Sequence, residues 1–77
     1  MTRKEELLEF ISFAIDESRP IEILFREHGQ CHNKKYKDYN GLVYIDLYVR
    51  SNFDDELIHV GMGNSRTKIL NWKIARV

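Results

Sequence analysis

Leu7, Phe10, Ile11 and Ala14 recur at three- and four-residue spacing, with Leu8 and Ile15 widening the stripe. Glu5, Glu9, Asp16 and Glu17 fall off that stripe, and the period predicts an amphipathic helix over residues 3–18. Thr2 stands at the N-cap position, Glu5 three residues on completes a capping box, and Glu6 adds negative charge to the first turn. Pro20, the only proline, cannot extend the helix and biases Arg19 towards extended geometry.

Beyond Pro20 the period falls from 3.6 to two. Ile21, Ile23 and Phe25 alternate with Glu22, Leu24 and Arg26, predicting a half-buried strand over 20–28. Residues 28–33 are polar, contain Gly29 and read as a turn, and 34–40 read as a short polar edge strand. Asn40-Gly41 is a strong tight-turn pair. After it, Val43, Ile45, Leu47 and Val49 alternate with Leu42, Tyr44, Asp46 and Tyr48, predicting a strand over 42–51. Residues 51–55 read as a loop. A strand over 56–63 carries Ile58, Val60 and Met62, and Gly61, Gly63 and Asn64 close it into a turn. A last strand over 66–75 carries Ile69, Leu70, Trp72 and Ile74. The predicted fold class is α+β: one domain over 1–77, with an N-terminal helix followed by a five-stranded antiparallel barrel or curled sheet.

Composition sets the scale of that domain. The chain has 77 residues, 43% of them hydrophobic, which supplies one core and little surplus stability. A lone cysteine, Cys31, cannot form an internal disulfide, so a reducing, cytoplasmic setting is expected. No apolar stretch approaches the ~18 residues of a membrane helix, and no membrane partner is expected.

Twelve basic and twelve acidic residues give a formal net charge of zero, which argues against a protein that coats duplex DNA by bulk charge. The zero conceals a gradient. Residues 1–30 hold seven acids and four bases, and residues 31–77 hold eight bases and five acids. Such polarity can steer an anionic partner. Lys34, Lys35 and Lys37 interleave with Tyr36 and Tyr39, while Tyr44 and Tyr48 share a predicted strand face with Arg50. Rings stack on splayed bases and lysines hold phosphates, as a single-strand platform needs. The competing explanation is structural: lysines guard an edge strand and tyrosines are half-buried core.

Other chemistry is thinner. His28, Cys31 and His32 carry ligand atoms, but no second ligand pair stands at zinc-site spacing, so neither metal nor cofactor is expected. The run from Gly61 to Arg66 lacks both the P-loop ending and the third glycine of a dinucleotide loop. It reads as a hairpin turn, with Arg66 and the Gly63 backbone as the place for an anion. Asp54, Asp55 and Glu56 read as solvated acids, and nothing marks Ser51 or Ser65 as a nucleophile, so no enzyme is expected. Trp72 reads as core. Phe53 is different, because it sits among Asn52, Asp54 and Asp55 where no period asks for an apolar side chain. It is either a lid over the barrel or a contact residue, and it is the candidate protein contact.

The order of features carries a resemblance. Residues 14–26, Ala-Ile-Asp-Glu-Ser-Arg-Pro-Ile-Glu-Ile-Leu-Phe-Arg, resemble the opening of WYL domains, where a helix ending in an Ala-Ile-x-Glu-x-Arg phrase feeds an Ile-x-Ile-x-Tyr/Phe strand. Residues 57–61, Arg66 and the run 69–77 look like the closing strands, with Lys73, Ile74 and Val77 matching a basic-Ile-x-x-Val ending. The signature Trp-Tyr-Leu is absent, and Leu42-Val43-Tyr44-Ile45 occupies the comparable strand. The resemblance implies an Sm-like small barrel that senses nucleic acids or nucleotides through basic residues.

The expected function is a non-enzymatic regulatory module of bacterial or phage type. It binds single-stranded nucleic acid or a nucleotide-like anion through Lys34, Lys35, Lys37, Arg50, Arg66 and Lys68, with Tyr36, Tyr44 and Tyr48 stacking. The alternative is a small adaptor or inhibitor, encoded by a phage or mobile element, that engages a host protein complex through Phe53 or a sheet edge. A homodimer paired along the edge at 34–39 is a further expectation.

Overall fold

The Thr2–Glu5 capping box forms as its spacing requires: Thr2 Oγ1 accepts from the Glu5 N–H at 3.1 Å, and the Glu5 carboxylate accepts from the Thr2 N–H at 3.0 Å. That bond to the Thr2 backbone holds the Glu5 carboxyl below its usual range. The box opens helix α1 (Arg3–Glu17) in a computed structural model that describes residues 1–60 and 66–76. Ser18 ends α1 in a left-handed conformation, φ 53°, and the Arg19 N–H returns to the Ala14 carbonyl at 2.9 Å. Leu7, Ile11 and Ala14 are its buried stripe.

Strand β1 (Ile21–Glu27) buries Ile21, Ile23 and Phe25, the residues its period of two selects. The chain reverses within His28 and Gly29, whose φ values of 51° and 80° match the twist of a two-residue hairpin. The turn expected over 28–33 is therefore confined to two residues. Gln30–Tyr36 pairs antiparallel with β1 as strand β2, in a register that sets Glu27 opposite Gln30 and Ile21 opposite Tyr36. It begins earlier than the edge strand expected over 34–40.

The largest correction concerns the fold class. Residues expected as the strand 42–51 form a helix, α2 (Tyr39–Arg50), opened by Asp38, whose carboxylate accepts from the Gly41 N–H at 2.7 Å. Asn40-Gly41 belongs to the first turn of that helix and is no hairpin. Leu42, Ile45 and Val49 are buried at helical spacing, whereas Leu47, placed on the inner face by a strand reading, is exposed. Of the strand expected over 56–63, the described part contributes a single antiparallel bridge, Val60 to Thr67. Met62 and the turn residues Gly61, Gly63 and Asn64 lie outside the described residues.

Strand β3 (Lys68–Ile74) completes an antiparallel sheet of order β2-β1-β3. Register shifts between Leu24 and Phe25, and Leu70 is the extra residue of the bulge. Three strands cannot close on themselves. The described residues form an α+β domain with two helices on an open three-stranded sheet, in place of the expected five-stranded Sm-like barrel. The strand on which the comparison of residues 42–45 with the WYL signature rested is helical. Among the described residues no helix is long and apolar enough to cross a membrane.

Both helices pack on one face of the sheet, where Leu7, Ile11, Ile21, Ile23, Ile45 and Ile69 are fully enclosed. Burying each such side chain contributes about 1.5–3 kcal/mol. The outer edge of β3 is covered at Ile69 and Leu70: the Ile69 N–H donates to Leu57 O at 3.0 Å, and the Arg3 guanidinium donates to Ile69 O and Leu70 O at 3.0 and 2.9 Å. Arg3 also stacks on Trp72, 5.0 Å from the ring centre. Trp72 is half-buried by these contacts.

Candidate nucleic-acid interface

Residues directly opposite in paired strands project to the same side of a sheet. The rows Lys35–Glu22–Lys73, Asn33–Leu24–Asn71 and Cys31–Arg26–Lys68 therefore share the face away from the helices. Among the described residues four cations, Arg26, Lys35, Lys68 and Lys73, meet one carboxylate there. Glu22 is nearly enclosed between Lys35 at 3.9 Å and Lys73 at 3.5 Å. Arg26 and Lys68 make no ion pair among the described residues.

The middle row forms a shallow depression of about 190 Å3 lined by Glu22, Leu24, Asn33, Asn71, Trp72 and Lys73. Leu24 supplies an apolar floor between two side-chain amides. Asn71 Oδ1 accepts from the Trp72 N–H at 2.9 Å, which leaves its NH2 as the donor into solvent. The two cationic rows are four strand residues apart, roughly 13 Å at the usual rise. Phosphates can be held at both rows while a base edge meets the amides between them.

The nominated residues do not converge on one surface. Lys35 and Lys68 lie on the open face just described. Lys34 and Tyr36 project to the helix side, where they meet Tyr44 and Tyr48 of α2 around a small cleft of about 60 Å3, also lined by Phe25 and Glu27. Helical i,i+4 spacing, rather than a strand face, brings Tyr44 and Tyr48 together, with ring centres 6.3 Å apart and planes 26° from parallel. Tyr48 meets Phe25 edge-on. Burial pushes the Tyr36 hydroxyl up to about 12, helped by the neighbouring Tyr44 and Tyr48, and raises Tyr48 as well. Lys34 is occupied locally, 3.6 Å from Glu27 and 5.1 Å from the Phe25 ring centre.

Arg50 is bonded to Asp46 one turn back on α2, at 3.1 Å. Lys37 follows the end of β2, and Arg66 stands two residues before β3. Arg26 and Lys73, on strands read for their apolar side alone, were not foreseen. The polar alternation of β1 and β3 held that signal.

His32 and Cys31 project to opposite sides of β2, and His32 bonds Glu27 at 3.0 Å, a contact that holds the Glu27 carboxyl low. No three His, Cys, Asp or Glu side chains gather as a ligand set among the described residues. No family model, no curated protein and no solved structure matches this chain.

Proposed function

We propose that this chain is a non-enzymatic binding module that holds single-stranded nucleic acid on the open face of its sheet. One observation carries the reading: among the described residues, four cations stand against one carboxylate on a face that neither helix covers, with two amides flanking an apolar floor between the cationic rows. The contact is by charge and amide hydrogen bonds, because the tyrosines lie on the other side of the sheet. Zero net charge keeps nonspecific attraction small, so binding depends on this local surface.

Fluorescence anisotropy with a short labelled oligonucleotide tests the proposal. Four phosphate contacts predict a log–log salt slope of about −3 for a single strand, and losing two of them halves it. Arg26→Glu with Lys73→Glu is expected to weaken binding at least about tenfold, while Tyr44→Ala leaves it unchanged. No binding at low salt, or binding that ignores the double variant and fails with Tyr44→Ala, overturns the reading.

A further inference from the structure

Phe53 is fully exposed, on a segment that is otherwise firmly held. Lys4 fixes the segment from α1, its backbone N–H donating to Asp55 O at 2.8 Å and its ammonium to Asn52 O at 2.6 Å. The Asp54 carboxylate accepts from the Glu56 and His59 N–H groups at 2.9 and 3.1 Å, and the Leu57 N–H donates to Asp54 O at 3.0 Å. Leu57, fully buried, adopts a left-handed φ of 59°. A buried leucine in that conformation is tolerated only where its surroundings over-determine it. The loop therefore presents a phenyl ring to solvent at little remaining ordering cost on binding. Asp55 and Glu56 beside it are exposed acids.

The opposite end of the molecule holds the complementary shape. Pro20 and Ala75 floor a cleft of about 390 Å3 whose rim is Lys35, Lys37 and Arg76. That volume lies within the ~300–1,000 Å3 range of small-ligand sites and accommodates a phenyl ring. Neither Lys37 nor Arg76 has a hydrogen-bond or ion-pair partner among the described residues. The knob lies at the start of α1 and β3, and the cleft at their ends, about 20 Å away by the length of the helix.

We infer that copies of this chain associate head to tail, the Phe53 ring of one seating in the Pro20–Ala75 cleft of the next. Asp55 and Glu56 then face Lys37 and Arg76. The inference goes beyond the proposed function and uses different residues, Lys35 at the common border excepted. Such a contact is heterologous: it leaves a free knob and a free cleft at the ends of every short assembly, and it grows into a ring or an open chain. Its small area places it among weak, concentration-dependent contacts.

Sedimentation velocity on the full chain, from micromolar to millimolar concentration, tests it. The wild type is expected to grow beyond a dimer with concentration and to dissociate with added salt. Phe53→Ala, a change at an exposed position, is expected to weaken association at least about tenfold with an unchanged circular dichroism spectrum. Lys37→Glu with Arg76→Glu is expected to do the same. Mixing the two variants is the sharp arm, because one keeps a working cleft and the other a working knob. The mixture should form a 1:1 pair and stop there. A wild type that stays monomeric overturns the inference, even if Phe53 captures a foreign protein. So does association indifferent to Phe53→Ala, as pairing along β2 would give, or a mixture that remains monomeric. Oligonucleotide binding by Phe53→Ala reports separately on the sheet face.

Discussion

The phenol of Tyr36 shows how one side chain records the packing of α2 against β2. It is enclosed enough that burial, with Tyr44 and Tyr48 nearby, raises its ionisation to about 12 from the ordinary 10.0. A group whose folded value is raised favours the folded state below its unfolded value, and that contribution is lost as pH climbs through the folded one. Stability should therefore fall between about pH 10 and 12. Tyr36→Phe, which keeps the ring and deletes the titrating group, should flatten that fall. Absorbance-monitored alkaline titration should lose its latest phase in the same variant. A late phase that persists in Tyr36→Phe would place the enclosed phenol elsewhere.

At the scale of elements, α2 is the piece that decides the architecture. Asp38→Ala removes the bond to the Gly41 N–H and should cost about 1 kcal/mol in urea unfolding, as N-cap losses do. Ile45→Ala opens the core and should cost about 2–5 kcal/mol, whereas Leu47→Ala, at an exposed position, should cost under about 0.5 kcal/mol. A strand would make those two losses alike, since both residues would share its inner face. That contrast also explains what could be read in advance. Helix α1 was legible because a capping box, a clean stripe and a proline agree on its bounds, and β1 because only a period of two fits it. Residues 42–49 are apolar almost throughout, so both periods find support there. Asn40-Gly41 then tips the reading towards a hairpin. The deciding signal is Asp38 three residues before Gly41, where a side chain would crowd the cap: a Cβ on Gly41 would lie 3.2 Å from the Asp38 carboxylate. Among the site residues, Lys35 and Lys68 were legible as charge. Arg26 and Lys73 were not, because their value depends on which strands become neighbours.

Across the whole molecule, zero net charge resolves into separate surfaces. Glu5 and Glu6, in the first turn of α1, lie at the same end as the acids of the 54–56 loop. Arg26, Lys35, Lys68 and Lys73 gather on the open face, while Lys37 and Arg76 continue the basic surface around the cleft. Among the described residues both helices lie on one side of the sheet and none covers the other, and that asymmetry underlies the proposed activity. The most direct test is an amide chemical-shift titration of the labelled protein with a short single-stranded oligonucleotide at low salt. Shifts are expected to concentrate at Arg26, Asn33, Lys35, Lys68, Asn71 and Lys73 and to fade as salt is raised. Shifts gathered instead at Tyr36, Tyr44 and Tyr48, or none at all, would contradict the proposed activity.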